Sequence, residues 1–459
     1  VAMDAQKSCD LLVTNVDIIT MNASREIITD GAVAVSGNTI CAMGPTDDIT
    51  AGYRAARTIP AAGKYLFPGF ISTHTHLFQT LLRGLGRDKP LLEWLDASVR
   101  RTLHCYREEH IHHAALIGLA EAVRSGTTTV LDYQYCHPVP GLDIPVMEAF
   151  GQIGGRGILG RTHTEVGSFP PEFACPHTES EEEHFRIVEE LAARCAGDDM
   201  LSLAIAPGII WDHSERGFIR TREVADALGI PVTMHIVETE DDDRYAQRQW
   251  GERAIPFLDR CGLLKEDFIA VHAVHMGDED LELFARRGVS VAHCPVSNMI
   301  LASGTARVPE MLARRIPVSL AFDGAASNDS QNMLESMKFA ALQHKLVSRN
   351  AAAVGAQDVL DMATVGGARA LRMEQSIGSI EIGKRADMFI YDPLFPHSVP
   401  VHDPVSSLVY SSGPANVETV IINGAVVLDA GKLTGIDEHA MVRKARDLAY
   451  ELVSKAGLR

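Results

Sequence analysis

The chain has 459 residues, of which 46% are hydrophobic and 22% are charged, a balance typical of a soluble globular enzyme. Its formal net charge of −18 argues against nucleic acid and anionic membranes as partners, because such a surface repels phosphate groups. No apolar run approaches the roughly 18 residues of a membrane-spanning helix. The N-terminal stretch VAMDAQKSCDLL also lacks the pattern of a secretory signal, so we expect a cytoplasmic protein with reduced cysteines.

The two ends of the chain predict β-structure. Residues 1–65 contain short β-branched runs separated by Asn, Gly and Pro, and similar stretches return at 378–393 and 417–433. Such distant segments can pair only if the termini meet, so we predict a small β-sandwich domain built from residues 1–65 and 376–435. Residues 436–459 predict a closing amphipathic helix that begins near Asp437.

Between these ends, residues 66–375 alternate between strand-like and helix-like patterns. Near-continuous apolar runs, as expected of strands buried on both faces, occur at FPGFISTH, GTTTVLDY, RGILGRTH, LSLAIAP, IPVTMHI, DFIAVH, VSVAHC and IPVSLAF. Helical periodicity separates most of them, as at 109–124, 179–196, 245–259 and 334–346. Eight such units predict an α/β fold, a (β/α)8 TIM-type barrel with its chemistry at the C-terminal ends of the strands.

Imidazoles and a carboxylate end four of these strands. His74 and His76 end the first strand, where side chains two residues apart point the same way; His235, His272 and Asp323 end the fifth, sixth and eighth. Burying several such groups at one barrel mouth is costly unless a shared cation offsets the cost, which indicates a metal site. A three-histidine, one-aspartate set suits Zn²⁺, with Fe²⁺ or Mn²⁺ as alternatives. The fourth strand has no Lys or Glu that could bridge two ions, so we expect one metal.

A second H-x-H pair, His110 and His112, lies in a predicted helix. Residues two apart on a helix point about 200° apart, so these two side chains cannot chelate one ion together. We interpret them as surface or packing residues.

The predicted metal site suits hydrolysis at an amine-bearing carbon. A metal of this kind lowers the pKa of bound water and makes hydroxide available near neutral pH. The reaction also needs a base for the water's proton, an acid for the leaving nitrogen and stabilisation of developing charge. The available groups are Asp323, His272 and Glu238, which follows His235 by three residues.

Five motifs in order resemble the amidohydrolase superfamily: PGFISTHTH, HIVET, VHAVHMGDEDLELFARRGVSVAHCPVSNMILASG, AFDGAASND and IGSIEIGKRADMFIYDP. Within it the chain is similar to the cytosine/guanine deaminase and atrazine chlorohydrolase group, with AHCPVSNMILASG similar to 8-oxoguanine deaminases and MATVGGARAL to s-triazine hydrolases. The resemblance runs along nearly the whole chain. It implies a small heterocyclic substrate and a homo-oligomer, a dimer or larger.

The resemblance also implies roles for individual residues. One divalent metal would be held by His74, His76, His235 and Asp323. Glu238 would carry a proton from the attacking water to the leaving group, and His272 would lie beside that water or polarise the substrate. Asp323 would assist as a base.

Three further residues are candidates for substrate binding. Gln79 matches a position that faces the substrate in several relatives, and Trp94 falls in the loop that covers the pocket in atrazine-type enzymes, with plain loop packing as the alternative. His163, together with Glu165, could shape a polar pocket or serve a structural role. Relatives that deaminate adenosine-type nucleosides carry His directly after the Pro that ends the fourth strand; Gly208 stands there in this chain, which argues against S-adenosylhomocysteine-type substrates.

The sequence therefore predicts a metal-dependent aminohydrolase that releases ammonia from an aminated purine, pterin or triazine. Loss of chloride or an alkylamine from an s-triazine, and hydrolysis of an amide or urea nitrogen, are alternatives that use the same site. A scaffold without catalysis is disfavoured because all four expected ligands are present.

Overall fold

The structure, a computed structural model, describes residues 6–164 and 179–458. Its strands, in chain order, are β1 Lys7–Ile19, β2 Ile27–Ser36, β3 Thr39–Pro45, β4 Tyr53–Pro60, β5 Tyr65–Pro68, β6 Phe70–Thr75, β7 Thr127–Gln134, β8 Arg156–Arg161, β9 Leu201–Ile205, β10 Val232–Ile236, β11 Phe268–His272, β12 Ser290–His293, β13 Val318–Leu320, β14 Met388–Tyr391, β15 Val417–Ile422, β16 Ala425–Asp429 and β17 Lys432–Leu433.

The α-helices of the described residues connect and cover these strands. They are α1 Thr46–Gly52, α2 Leu91–Ala97, α3 Val99–Thr102, α4 Glu108–Arg124, α5 Asp143–Ile153, α6 Glu181–Cys195, α7 Glu215–Leu228, α8 Asp241–Trp250, α9 Ala254–Arg260, α10 Asp278–Arg287, α11 Pro295–Ile300, α12 Val308–Ala313, α13 Met333–Ser348, α14 Ala356–Asp361, α15 Gly367–Ala370, α16 Pro404–Tyr410 and α17 Glu438–Lys455. None of these helices is long and apolar enough to cross a membrane.

The predicted barrel is confirmed. Strands β6 to β13 form one parallel sheet in sequence order, and β6 and β7 are buried at every position because helices cover the outside and side chains fill the inside. The first and last strands approach each other through the Asp323 amide, which donates to the His74 carbonyl at 3.2 Å. The C-terminal ends of the strands therefore meet around one mouth.

The two chain ends form one mixed nine-stranded sheet beside the barrel. Strand β14 joins them, because it pairs antiparallel with β5 on one side and with β15 on the other. The chain leaves this sheet at Pro68 and enters the barrel at Phe70, with Gly69 between. This pairing brings the termini together, as the β-rich ends of the sequence predicted.

Two helices differ in detail from their sequence patterns. The predicted helix at 245–259 is two helices, because Gly251 adopts a left-handed φ of 75° that ends α8 before α9 begins. The closing helix is α17, and the carboxylate of Asp437 caps it by accepting from the Ala440 amide at 2.9 Å.

A buried ion pair links the barrel to the mixed sheet. Arg156 on β8 donates through Nε to Asp387, just before β14, at 3.0 Å, and both side chains are about 3% exposed or less. The same carboxylate accepts from the Asn423 amide at 2.7 Å. A guanidinium that lost this partner would remain buried without a countercharge.

We expect Asp387→Asn to lower the free energy of unfolding by about 3–5 kcal/mol, because it leaves the buried Arg156 charge unpaired. The matched control is Asp429→Asn, which breaks the half-exposed pair with Arg57 and should cost less than about 1 kcal/mol. Urea unfolding followed by circular dichroism measures both. Equal losses in the two variants would contradict a special role for the buried pair.

Candidate metal and catalytic site

The structure brings together the four residues predicted as metal ligands. His74 on β6, His76 directly after it, His235 on β10 and Asp323 after β13 lie at the barrel mouth. Asp323 Oδ1 lies 3.4 Å from His74 Nε2 and 3.5 Å from His76 Nε2, and the Nε2 atoms of His76 and His235 are 3.2 Å apart. Potential ligand atoms thus lie close together in two overlapping groups, His74 with His76 and Asp323, and His74 with His235 and His272.

Hydrogen bonds from behind fix the orientation of two of these rings. His76 Nδ1 lies 2.8 Å from the Tyr133 carbonyl, and His235 Nδ1 lies 3.2 Å from the Gly208 carbonyl. A carbonyl only accepts, so each Nδ1 carries the proton and each Nε2 presents a lone pair. Two lone pairs 3.2 Å apart repel each other unless a cation lies against both.

The remaining features of these histidines also fit a divalent metal. Within the described residues, His74 Nδ1 has no hydrogen-bond partner, and His74 Nε2 has only the 3.4 Å approach to Asp323 Oδ1. Burial lowers the pKa of His74 to about 4 and the pKa of His76 to about 3, so both rings are neutral near pH 7. Neutral imidazole is the form that binds a metal, and the carboxylate of Asp323 supplies negative charge.

The backbone turns sharply where the ligand-bearing strands end. Val237, His272 and Asp323 adopt left-handed φ angles of 42°, 70° and 66°. Residues with a side chain hold such angles at a cost of about 1–3 kcal/mol each, and they cluster at functional sites. The surrounding packing therefore holds the chain where these turns place it.

Glu238 and His272 form a second buried group beside the histidines. His272 Nε2 lies 3.4 Å from Glu238 Oε2, while Asn298 Oδ1 accepts from His272 Nδ1 at 2.9 Å and Ser303 Oγ donates to Glu238 Oε1 at 2.9 Å. Burial raises the pKa of Glu238, which favours a carboxyl able to hold a proton. His272 Nε2 therefore faces Glu238 Oε2 while Nδ1 is held by Asn298.

A cavity opens beside these groups, and its walls are mainly aromatic and apolar. Gln79 lines it from the 3₁₀ turn Leu77–Leu82 that follows His76, and Trp94 lines it from α2, so the predicted covering loop is a pair of short helices, α2 and α3. Trp94 is buried, with Trp211 elsewhere on the cavity wall. An aromatic cavity of this kind fits a flat ring.

His163 does not line this cavity, although its neighbours Thr162 and Thr164 do. Its ring stacks on His184, with centroids 4.8 Å apart and planes 19° apart. His163 and His184 also form a group of potential metal ligands with Glu179, although Glu179 already pairs with Arg161 at 2.6 Å. Its position gives no support to a substrate contact for His163, and Glu165 lies outside the described residues.

The second H-x-H pair lies on α4, as predicted. His110 is buried with its ring centroid 6.2 Å from that of Tyr106, and the His112 ring lies 5.2 Å from that of His113. Among the described residues, neither belongs to a group of three potential metal ligands.

Sequence reasoning missed the groups that orient the site. The main-chain carbonyls of Tyr133 and Gly208 could not be predicted as partners from the sequence, because every residue has a carbonyl. Asn298 and Ser303 are polar residues in the otherwise mostly apolar motif NMILASG, and this could have indicated that they contact the site. Gly208 itself has room only for hydrogen, since a Cβ there would lie 1.9 Å from Asp212 Oδ2.

The family model for the amidohydrolase family matches residues 65–427. The chain belongs to the amidohydrolase family. It is 34% identical over 441 residues to a 5-methylthioadenosine/S-adenosylhomocysteine deaminase of Syntrophobacter fumaroxidans, covering 96% of this chain and 98% of that relative. A 5′-deoxyadenosine deaminase of Methanopyrus kandleri is 34% identical over 390 residues, covering 85% and 87%.

Solved structures agree with this membership. An adenosine deaminase from Xanthomonas campestris with bound zinc has a TM-score of 0.91 and 33% identity, covering 98% of this amidohydrolase and 100% of that chain. A triazine hydrolase of an Arthrobacter species has a TM-score of 0.88 at 24% identity, covering 96% and 99%, and supports the fold alone. This amidohydrolase is therefore a hydrolase, related to enzymes that cleave carbon–nitrogen bonds in cyclic amidines. Its family and its cluster of histidine and aspartate side chains indicate a divalent metal.

We expect His76→Ala to weaken metal binding by more than about 100-fold, since even loss of a ligand's hydrogen-bond partner costs roughly 10- to 100-fold. The matched control is His112→Ala, from the helical H-x-H pair, which should retain the full metal content. Mass spectrometry of both purified variants after dialysis measures the metal per chain. Equal metal content in the two would contradict the proposed ligand set.

Proposed function

We propose that this amidohydrolase removes an amino group from an aminated N-heteroaromatic ring and releases ammonia. The observation that carries the proposal is the pair of opposed Nε2 lone pairs of His76 and His235, beside a buried carboxyl, Glu238, at the wall of one aromatic cavity. Deaminase names among the relatives support the same reaction class. Loss of chloride has no comparable support, because that leaving group needs no proton from Glu238.

For the metal, we propose one zinc ion held by His74, His76, His235 and Asp323. Three neutral imidazoles and one carboxylate form a nitrogen–oxygen donor set of the kind that zinc binds. When bound, such an ion supplies a Lewis acid that lowers the pKa of a water molecule toward neutrality. The zinc in the related adenosine deaminase structure supports this choice of ion.

Within this proposal, Glu238 takes the proton from the attacking water and gives it to the leaving nitrogen. Burial suits it to both steps, because the raised pKa brings the neutral and ionised forms closer in energy, and the hydrogen bond from Ser303 holds the carboxyl in place. His272, oriented by Asn298 and facing Glu238 at 3.4 Å, lies beside the attacking water or polarises the substrate. Asp323 assists as a base from the side of His74.

The aromatic ring of the substrate would lie in the cavity lined by Gln79 and Trp94. Gln79 offers polar contact near Asp323, and the buried indole of Trp94 offers a flat apolar face. His163 is left out of this assignment because its ring stacks on His184 instead.

A panel of aminated heterocycles assayed for ammonia release, on protein with quantified metal, tests the function. The panel contains aminopurines, aminopterins, aminotriazines and the nucleosides adenosine and 5′-deoxyadenosine. We expect turnover of at least one free ring. With metal present, the absence of ammonia from every compound would contradict the proposal.

We expect Glu238→Gln to lower kcat by about 10²–10⁴-fold while metal content stays unchanged, because the amide cannot carry the proton. The control is Glu240→Gln, two residues along, whose exposed side chain pairs with Arg244 on the surface. Steady-state ammonia release on the best substrate measures both variants. A Glu238→Gln enzyme as fast as the control would remove Glu238 from the mechanism.

A further inference from the structure

One stripe of helix α13 carries exposed apolar side chains between a carboxylate and a guanidinium. Phe339, Leu342 and Leu346 are 39%, 44% and 79% exposed. Glu335 precedes them in the first turn of α13, and Arg349 directly follows the last residue of the helix. Steps of four, three, four and three residues place all five on one side of the helix, within an arc of about 80°.

The described part of the chain leaves this stripe uncovered. Helix α13 packs into the molecule through its opposite face, whose buried residues include Met337, Ala341 and His344. Helix α11 packs against α13, and two of its apolar residues, Met299 and Ile300, are exposed as well. Single exposed apolar residues are ordinary, but an apolar surface that continues over several residues usually marks an interaction site. The stripe therefore indicates a docking surface.

The charges at the two ends of the stripe have no opposite charge beside them. Burial raises the pKa of Glu335, and the neighbouring carboxylates of Glu121 and Asp329 raise it further. Arg349 is exposed, and neither it nor Glu335 forms an ion pair with another described residue. The complementary surface therefore has an apolar centre, with a cation at the Glu335 end and an anion at the Arg349 end.

A second copy of the same helix has that arrangement. If two α13 helices cross antiparallel with a two-fold axis at Leu342, Glu335 and Arg349 lie seven residues to either side of the axis, about 10 Å along the helix. Each Glu335 then faces Arg349 of the other copy, and the two leucines meet at the axis. Phe339 faces Leu346 of the other copy by the same symmetry. Parallel helices would instead bring like charges together.

We propose that this stripe is the two-fold interface of a homodimer, in which α13 packs antiparallel against α13 of a second copy. The self-complementary charges favour a second copy over an unrelated protein, and the formal net charge of −18 argues against an anionic membrane. None of the five stripe residues lines the catalytic cavity, so this inference does not depend on the proposed function.

Sedimentation velocity of the whole chain over a range of concentrations measures its oligomeric state. We expect a mass of at least twice the 49.8 kDa of one chain, as a dimer or as a larger assembly built of such dimers. A chain that remains monomeric at every concentration overturns the proposal and assigns the stripe to a different partner.

We expect Leu342→Glu to halve the mass of the assembly and to raise the Kd of the dimer by at least about 100-fold, because the axis brings two buried carboxylates against each other. The matched control is Ile219→Glu on α7, a helical apolar residue that is 38% exposed, and it should keep the native mass. Circular dichroism shows whether both variants fold. A folded Leu342→Glu chain with the native mass overturns the proposal.

Charge reversal tests the antiparallel pairing with variants at exposed and half-buried positions. Glu335→Arg and Arg349→Glu should each raise the Kd by about 10-fold or more, since each places like charges together. The double variant restores opposite charges, and its Kd should return to within about threefold of the native value. Parallel helices, or contact through other surfaces, predict no such recovery. A double variant that dimerises as weakly as the single variants therefore overturns the proposal.

Discussion

Repulsion between ring nitrogens governs the centre of this molecule. His76 and His235 turn their unprotonated nitrogens toward each other because main-chain carbonyls of Tyr133 and Gly208 hold the opposite nitrogens as donors. Those carbonyls belong to β7 and to the residues after β9, so the backbone at the barrel mouth sets the rotation of each imidazole. If these histidines hold the proposed metal, they are oriented before it binds, which would limit the reorganisation that binding requires.

The supports of the proton-handling groups lie on a different part of the chain from the supports of the histidines. Glu238 and His272 are anchored by Ser303 and Asn298, which follow β12, whereas His76 and His235 are held by main-chain carbonyls of β7 and of the segment after β9. Two sets of supports thus converge on one cavity.

The sequence predicted the barrel and the ligand residues for the same physical reason. Strands buried on both faces have apolar sequences. Polar residues that end such parallel strands, such as His235, lie together at one end of the barrel. Long-range strand pairing was only partly predictable. The β-rich composition of the two chain ends predicted that they pair with each other, but it did not predict that β14 joins them into one sheet by pairing with β5. The direction of His163 could not be predicted, because a side chain just beyond a strand follows the conformation of its loop.

The close approach of Gly208 and Asp212 has an evolutionary consequence. The carboxylate of Asp212, held by the Ile209 amide at 3.0 Å, fills the volume that any side chain at 208 would need. A side chain at 208 would collide with that carboxylate unless the carboxylate moved. The effect of a substitution at 208 therefore depends on the residue at 212, and we expect the two positions to vary together.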